Sequence, residues 1–291
     1  MKSKKALVLS GGGVKGAFQA GFCNYLAQIG WKPDLIVGTS VGALNGAFLC
    51  QTDDFLENSE SAIKVWRHYS HNHFFYELNK KFIFKLGWSE SLFSNKHFYK
   101  ILHTRLKSKD FADLKIPLHV NTTEYESGDA VMFSKGPLIA PLVASYSTPP
   151  LFPPVHIGGN KYIEGTINDK SMINVAKSLR AKKIIYLDIL NNKSTLRNSN
   201  IVSEICYLAN LVSREINKKE SQFMDDTVLA VIPDFDCSHE IKCQREMSFI
   251  MKVIGQYRKM TGEDSVRLIE KYLEEGRSHA ELLHKKGKIK L

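Results

Sequence analysis

The chain has 291 residues, 43% hydrophobic and 24% charged, with 40 Lys and Arg against 30 Asp and Glu for a formal net charge of +10. That is apolar material for a full core, which excludes disordered, collagenous and coiled-coil classes. A basic balance fits nucleic acid, an anionic membrane or a solvated surface, so its location decides its meaning.

Lys5 to Leu9 is a short apolar run ending in Ser10-Gly11-Gly12-Gly13, which predicts a buried strand feeding a glycine turn. From Ala17 to Ile29, Phe18, Phe22, Tyr25, Leu26 and Ile29 recur at helical spacing, and Gly30 supplies a stop. Asp34 to Val37 predicts a second strand and Val41 to Cys50 a helix of small apolar residues. This order opens an α/β fold with a parallel sheet.

Ser61 to Lys109 holds ten Lys and Arg against Glu77 and Glu90, a net of +8, together with eleven of the 30 aromatics. The rings are expected as the core of a helical insertion, as a lid that rests on an anionic bilayer, or as a stacking surface for single-stranded nucleic acid. Lysines interspersed with Trp and Phe suit lipid better than nucleic acid, and no nucleic-acid partner is expected.

Beyond this window, Pro117 to Thr123 and Ala130 to Phe133 flank Ser127-Gly128-Asp129 as a hairpin. Leu138 to Tyr146 has a helical pattern, and Thr148-Pro149-Pro150-Leu151-Phe152-Pro153-Pro154 predicts extended backbone. Val155 to Ile157 and Lys161 to Glu164 bracket Gly158-Gly159-Asn160 as a second hairpin. Then come a helix over Ser171 to Leu179, a strand over Lys183 to Leu190, a helix over Ile201 to Ile216, a strand over Thr227 to Ile232 and a helix over Thr261 to Lys286. No repeat or low-complexity linker divides the chain, so residues 1–291 are expected as one domain, with a core over 5–190 and a mostly helical completion over 191–291.

Five cysteines without C-x-x-C suit a reducing compartment, and His68, His71 and His73 match no zinc spacing; no metal or cofactor is expected. Only four apolar residues precede the first glycines, too few for a signal peptide's apolar core. The longest uncharged runs, Leu35 to Gln51 and Gly136 to Val155, are broken by glycines or prolines and do not suit a spanning helix. The expected location is cytoplasmic, with peripheral membrane contact through residues 61–109.

Gly38-Thr39-Ser40-Val41-Gly42 fits G-x-S-x-G between a strand and a helix, where small neighbours permit a sharp turn that lifts the serine hydroxyl clear. Gly11-Gly12-Gly13-Val14-Lys15-Gly16 fits G-x-G-x-x-G, but a dinucleotide turn needs an acid at the end of the second strand, and that end is Gly38-Thr39-Ser40. The remaining use of such a turn is to aim consecutive N–H groups at one negative oxygen. Donors at one strand end and a hydroxyl at the next are what acyl transfer needs. Position 40 follows only two strands, too early for an α/β-hydrolase, and among the ten histidines only His156 lies near a predicted hairpin end.

With these residues, the segment Ala144 to Val155 and the hairpin end Tyr162-Ile163-Glu164-Gly165-Thr166, the chain resembles the patatin-like phospholipase family over Lys5 to Leu190. The resemblance implies a patatin-like α/β sandwich with a mainly parallel central sheet flanked by helices, and hydrolysis of phospholipid or other lipid esters. It implies Ser40 as nucleophile and Gly11, Gly12 and Gly13 as oxyanion hole, with Gly16, Gly38, Gly42 and Gly165 in support. Lys15 is expected to anchor the loop or an anionic head group, or to be a plain surface lysine. The family's Asp-Gly-Gly or Asp-Gly-Ala reads Glu164-Gly165-Thr166 here, and Lys170 and Met172 stand where Asn and Pro are usual. Glu164 is expected as the base, with Asp169 in reserve. Glutamate keeps the carboxylate but adds a methylene, so a weak or inactive lipid-binding protein is the alternative.

Overall fold

The structure, a computed structural model, describes residues 3–70, 91, 93–168, 170–190, 211, 215, 218–235 and 262–291. Asp169, His71 and His73, residues 71–90 and 92 of the basic-aromatic window, and nearly all of the helix expected over Ile201 to Ile216 lie outside the described residues.

Eight strands form one sheet: β1 (Lys5–Leu9), β2 (Leu35–Thr39), β3 (Leu118–Glu124), β4 (Ala130–Phe133), β5 (Val155–Ile157), β6 (Asn160–Glu164), β7 (Lys183–Leu187) and β8 (Val228–Val231). Their order is β5-β6-β3-β2-β1-β7-β8, with β4 added on β3. The β3-β2-β1-β7-β8 stretch is parallel, while β4, β5 and β6 pair antiparallel. The helices are α1 (Gly16–Gln28), α2 (Val41–Leu49), α3 (Phe55–Ser70), α4 (Lys96–Arg105), α5 (Ile139–Tyr146), α6 (Met172–Ser178) and α7 (Gly262–Lys285).

The central strands are apolar on both faces because both are covered. Ala6 and Val8, Leu35 and Val37, and Ile184 and Tyr186 pack with α6 on one side. Their neighbours Leu7 and Leu9, Ile36, and Ile185 and Leu187 point to the other side, against α1 and α2. Alternation by two along each strand thus fills two layers of core.

The order reverses at β1, which has β2 on one side and β7 on the other. Chain segments leave the carboxyl ends of such neighbours in diverging directions and open a crevice there. The glycine turn after β1 and Gly38 to Gly42 after β2 both lie at that end of the sheet.

Two expectations are corrected. The strand expected to reach Leu190 ends at Leu187, because Ile189 turns to donate its N–H to Ser10 Oγ at 2.9 Å. Thr148 to Phe152 is a turn and not extended, since the Thr148 carbonyl accepts from the N–H groups of Leu151 and Phe152.

Of the window's rings, Trp66, Phe93 and Phe98 are buried and Tyr99 is half-buried against the same core. Lys96, Lys100, His103 and Arg105 on α4 are exposed, while Phe98, Ile101 and Leu102 face inward.

Helix α7 lies across α1 at a glycine on each side. A Cβ on Gly21 would overlap the Leu273 carbonyl, and one on Gly276 would overlap the Phe18 carbonyl. The helix backbones therefore touch directly, with Phe18, Phe235 and Tyr272 closing the contact by edge-to-face ring packing. Replacing Gly276 by Val forces α7 off α1; a loss of about 3 kcal/mol is expected, the upper range for overpacking, measured by urea unfolding, whereas an unchanged midpoint would contradict this crossing.

Candidate active site

Ser40 sits between the last residue of β2 and the first of α2 at φ 53°, ψ −128°, a conformation rare for a residue with a side chain. Such a turn persists only where its surroundings hold it. The Ser40 N–H donates to Ser145 Oγ at 2.7 Å, and that hydroxyl donates to the Asn121 carbonyl at 2.6 Å. Gly42 lies so close to the end of β1 that a Cβ there would overlap the carbonyls of Leu9 and Ser10, and Gly38 is packed against the backbone of Ala43. Both glycines flanking the serine are thus required by close packing.

The register of β3 brings Glu164 to this turn. Asn121 pairs with Thr39 of β2 and with Met132 of β4, and Thr122 pairs with Glu164 of β6 and with Val131 of β4. Since β4 occupies one edge at both positions, β2 and β6 share the other. They run in opposite directions, and their carboxyl ends meet at adjacent residues of β3. Gly165 passes through the junction, where a Cβ would overlap the Asn121 carbonyl.

Glu164 is buried, 5% exposed, and not the solvated hairpin residue its position in sequence suggests. Its carboxylate accepts from Thr148 Oγ1 at 3.0 Å and from the Thr166 N–H at 3.3 Å, and the Ser40 side chain lies near enough to favour its charged form. Burial pushes its pKa up from 4.5 to about 7, while Ser40, Thr148 and Thr166 pull the other way. A carboxylate poised there matches the range in which a general base works best near neutral pH.

The glycine turn closes the third side. A Cβ built on Gly11 would lie 3.1 Å from Ser40 Cβ and 3.7 Å from its Oγ, so this backbone runs directly past the hydroxyl. Gly12 and Gly13 have φ of 153° and 58°, which turns the chain into a short 3-10 segment ahead of α1. Among the described residues no acceptor engages the N–H groups of Gly12 and Gly13. Ser40, Glu164 and Gly11 to Gly13 are therefore brought together, and the arrangement has what acyl transfer requires: hydroxyl, carboxylate and donors.

Lys15 Nζ stands 5.6 Å over the Phe235 ring, so this lysine ties the glycine turn to the later part of the chain. His156 is exposed on β5. Among the described residues no group of three or more His, Cys, Asp and Glu is placed to hold a metal ion, and no helix is long and apolar enough to cross a membrane.

Four residues that carry this geometry escaped sequence reasoning. Ser145 and Thr148 lie in a segment whose motif was visible but whose side-chain roles depend on β2 and β6 being adjacent. Asn168 Nδ2 donates to the Thr122 carbonyl and to Thr123 Oγ1, both at 3.0 Å, and pins the loop after Glu164 to β3. Met172 occupies a first helical position where proline would have no N–H to satisfy. Here the Glu220 carboxylate accepts that N–H at 2.7 Å and the Ser171 hydroxyl at 2.6 Å. Glu220 is 48 residues from Met172, beyond any local pattern.

The chain thus combines a mostly parallel α/β sheet with a serine of positive φ at one strand end, beside a glycine turn and a buried carboxylate. The model of the patatin-like phospholipase family matches residues 7–177, and the chain belongs to that family. It is 28% identical over 193 residues to patatin-like phospholipase domain-containing protein 7 of Mus musculus, covering 65% of this chain and 14% of that protein. It is 26% identical over 194 residues to neuropathy target esterase sws of Drosophila melanogaster, covering 65% and 13%. The chain thus spans about one seventh of the curated relatives it matches. VipD from Legionella pneumophila aligns over 95% of this chain and 67% of its own, at 12% identity and a TM-score of 0.42.

The raised Glu164 pKa makes a signed stability prediction. The folded state holds this proton between pH 4.5 and about 7, and the unfolded state does not. Stability therefore falls as pH rises through that window, by about 3 kcal/mol for a shift of this size. Glu164→Gln removes the titration, so its stability relative to wild type should rise by that amount between pH 4 and pH 8 in urea unfolding. A difference that does not change with pH would contradict the burial of this carboxyl.

Proposed function

We propose that the protein is a lipid acyl hydrolase with Ser40 as nucleophile, Glu164 as base and the glycine turn as oxyanion hole. The observation that carries this reading is the meeting of a φ 53° serine with a buried carboxylate at adjacent positions of β3. The family and the relatives named a phospholipase-domain protein and an esterase support an ester of a lipid as substrate.

In this reading Ser40 Oγ attacks the acyl carbonyl carbon while its proton passes to Glu164. The carbonyl oxygen takes up the negative charge, which the N–H groups of Gly12 and Gly13 stabilise at the start of α1. Collapse of the tetrahedral species breaks the ester bond, and Glu164 returns its proton to the leaving alkoxide. Water then attacks the acyl-serine, giving its proton to Glu164, and the second collapse frees the fatty acid and restores Ser40. Serine and glutamate suffice for the proton transfers, with no metal or nucleotide in the scheme.

The second reading, a lipid-binding protein with little turnover, is favoured by one feature. Glu164 stands at the family's aspartate position, and its pKa of about 7 leaves it partly protonated at neutral pH. The two readings separate on a fluorophosphonate probe, which labels Ser40 only if the serine is activated. Ser40→Ala should abolish labelling and ester hydrolysis. Glu164→Gln should lower kcat by about a thousandfold, the usual worth of a general base. Wild-type kcat should rise with pH through about 7 as the carboxyl ionises. Full activity in Glu164→Gln would remove Glu164 from the mechanism.

The reading extends to a membrane surface. Lys96, Lys100 and Arg105 are exposed on α4, in the part of the chain where the net charge is concentrated. Contact with anionic lipid is the proposed use of these cations, each contributing about 1 kcal/mol at a charged bilayer. Vesicles containing phosphatidylserine should co-sediment the protein, neutral phosphatidylcholine vesicles should not, and replacing the three cations by Ser should weaken the binding. Retention by neutral vesicles in high salt would contradict this.

A further inference from the structure

Glu220 lies beyond residue 177, where the family match ends, and is 4% exposed. Its carboxylate takes three donors at the start of α6: the Ser171 hydroxyl at 2.6 Å, the Met172 N–H at 2.7 Å and the Ile173 N–H at 3.3 Å. The first N–H groups of a helix find no partner within it. Ser171, the local cap, accepts the Asn174 N–H at 3.0 Å, and Glu220 serves the two N–H groups ahead of that one. The segment that carries Glu220 also holds the other end of α6, where Lys177 Nζ donates to the Phe223 carbonyl and to the Asp225 carboxylate, both at 2.6 Å. Burial holds the Glu220 pKa up, the three donors oppose this, and the charge of Asp188 adds to the rise.

The start of α6 is tied in turn to the base. The Lys170 N–H donates to Asn168 Oδ1 at 3.0 Å, and the other end of that amide is bonded to β3. Asn121 Nδ2 donates to the Gly165 carbonyl at 2.8 Å. Between these two ties stands Thr166, whose N–H is a donor to the Glu164 carboxylate. A polar pocket separates this link from the sheet, lined among others by Gly165, Asn168 and Ser171, by Thr39 and Asn121 of the strands, and by Glu220. The buried Thr39 hydroxyl there meets no hydrogen-bond partner among the described residues. The link is therefore placed by its bonds more than by close packing, and its far end is only as firm as the bonds to Glu220.

We propose that Glu220 is a positioning residue for the base, acting through the start of α6, Asn168 and the Thr166 N–H on the carboxylate of Glu164. The proposal rests on the hydrolase reading above. Glu220 is not itself a catalytic residue, since its hydrogen bonds among the described residues all go to the start of α6. Without it, buried donors at that helix end lose their acceptor, which is costly enough to shift the helix. The Lys170 N–H then no longer fixes the Asn168 amide, and Thr166 is free to draw away from Glu164.

The test reads the Glu164 carboxyl and the catalysis separately, well below the unfolding temperature of every variant. Carboxyl-carbon NMR of glutamate-labelled protein follows Glu164, whose signal is the one missing from Glu164→Gln. In Glu220→Ala, ester hydrolysis at neutral pH should show kcat lowered by about tenfold with KM little changed. The Glu164 pKa, about 7 in wild type, should rise by about half a pH unit, because the Thr166 N–H favours the ionised form. Removing a negative charge would by itself lower that pKa, so the direction separates positioning from a direct field. Glu220→Gln keeps the size and one acceptor oxygen and should fall between wild type and Glu220→Ala. Met172→Pro takes away the N–H that Glu220 accepts at 2.7 Å, and Ser171 at φ −68°, ψ 122° has the backbone that a following proline requires. Added to Glu220→Ala, it should restore about threefold of the lost kcat and bring the Glu164 pKa back towards 7. A Glu164 pKa unmoved or lowered in Glu220→Ala would overturn the proposal, and so would a double variant no better than Glu220→Ala. If the wild type hydrolyses no ester, the hydrolase reading fails, while the carboxyl titration still decides whether Glu220 positions Glu164.

Discussion

β2 and β6 reach the same edge of β3 from opposite directions, and their ends meet at Asn121 and Thr122. Everything at the site depends on that register. A slip of one residue would turn every side chain of a strand to the other face, and Glu164 would no longer be directed at the turn that follows β2. The register is held by side chains that bond to the backbone at the junction. Ser145 bridges the Ser40 N–H and the Asn121 carbonyl, Thr123 Oγ1 donates to the Glu164 carbonyl, and Asn168 binds the Thr122 carbonyl. Buried polar groups of this kind are costly when unpaired, so the satisfied arrangement is also the selective one.

Burial of Glu164 and the strained turn at Ser40 sit at the same junction. Two strand ends meeting head to head exclude water from the carboxyl, which raises its pKa, and the Ser40 turn of positive φ lies beside them. Both features cost stability, and both are what the proposed chemistry uses: a base near neutrality and a hydroxyl on a rigid turn. Glutamate in place of the family's aspartate is accommodated because Thr148 and the Thr166 N–H take its oxygens. The extra methylene is therefore held in one geometry and not left to sample several.

The glycine turn is fixed from two sides. From one, the Gln19-Asn45-Trp66 network ties its ends to α1, α2 and α3. From the other, Lys15 meets Phe235, and α7 presses directly on α1 at Gly21 and Gly276. The family match ends at residue 177, yet α7, beyond it, packs on the helix that starts at the turn. The later part of the chain thus helps to set the geometry of its first loop.

Much of this was legible in the chain itself. Apolar runs of about five residues ending in glycine marked β1 and β2 because strands covered on both faces have no polar side to show. G-x-S-x-G and the glycine run marked the turns because only residues without Cβ permit the approaches seen at Gly38 and Gly42. What the chain could not reveal was which distant residues meet. Thr148 lies 16 residues from Glu164, Ser145 lies 105 from Ser40, and Glu220 lies 48 from Met172. Within the basic segment the sequence shows charge and aromaticity together, with a core role among its readings, and packing sends Trp66 and Phe98 in and Lys96 and Lys100 out. Local chemistry, carried by neighbours along the backbone, determined the strands, the turns and the reactive residue types. The burial of Glu164, its pKa and its place beside Ser40 were decided only by the tertiary structure, because hydrogen bonds and desolvation depend on distance in space, which register and packing set.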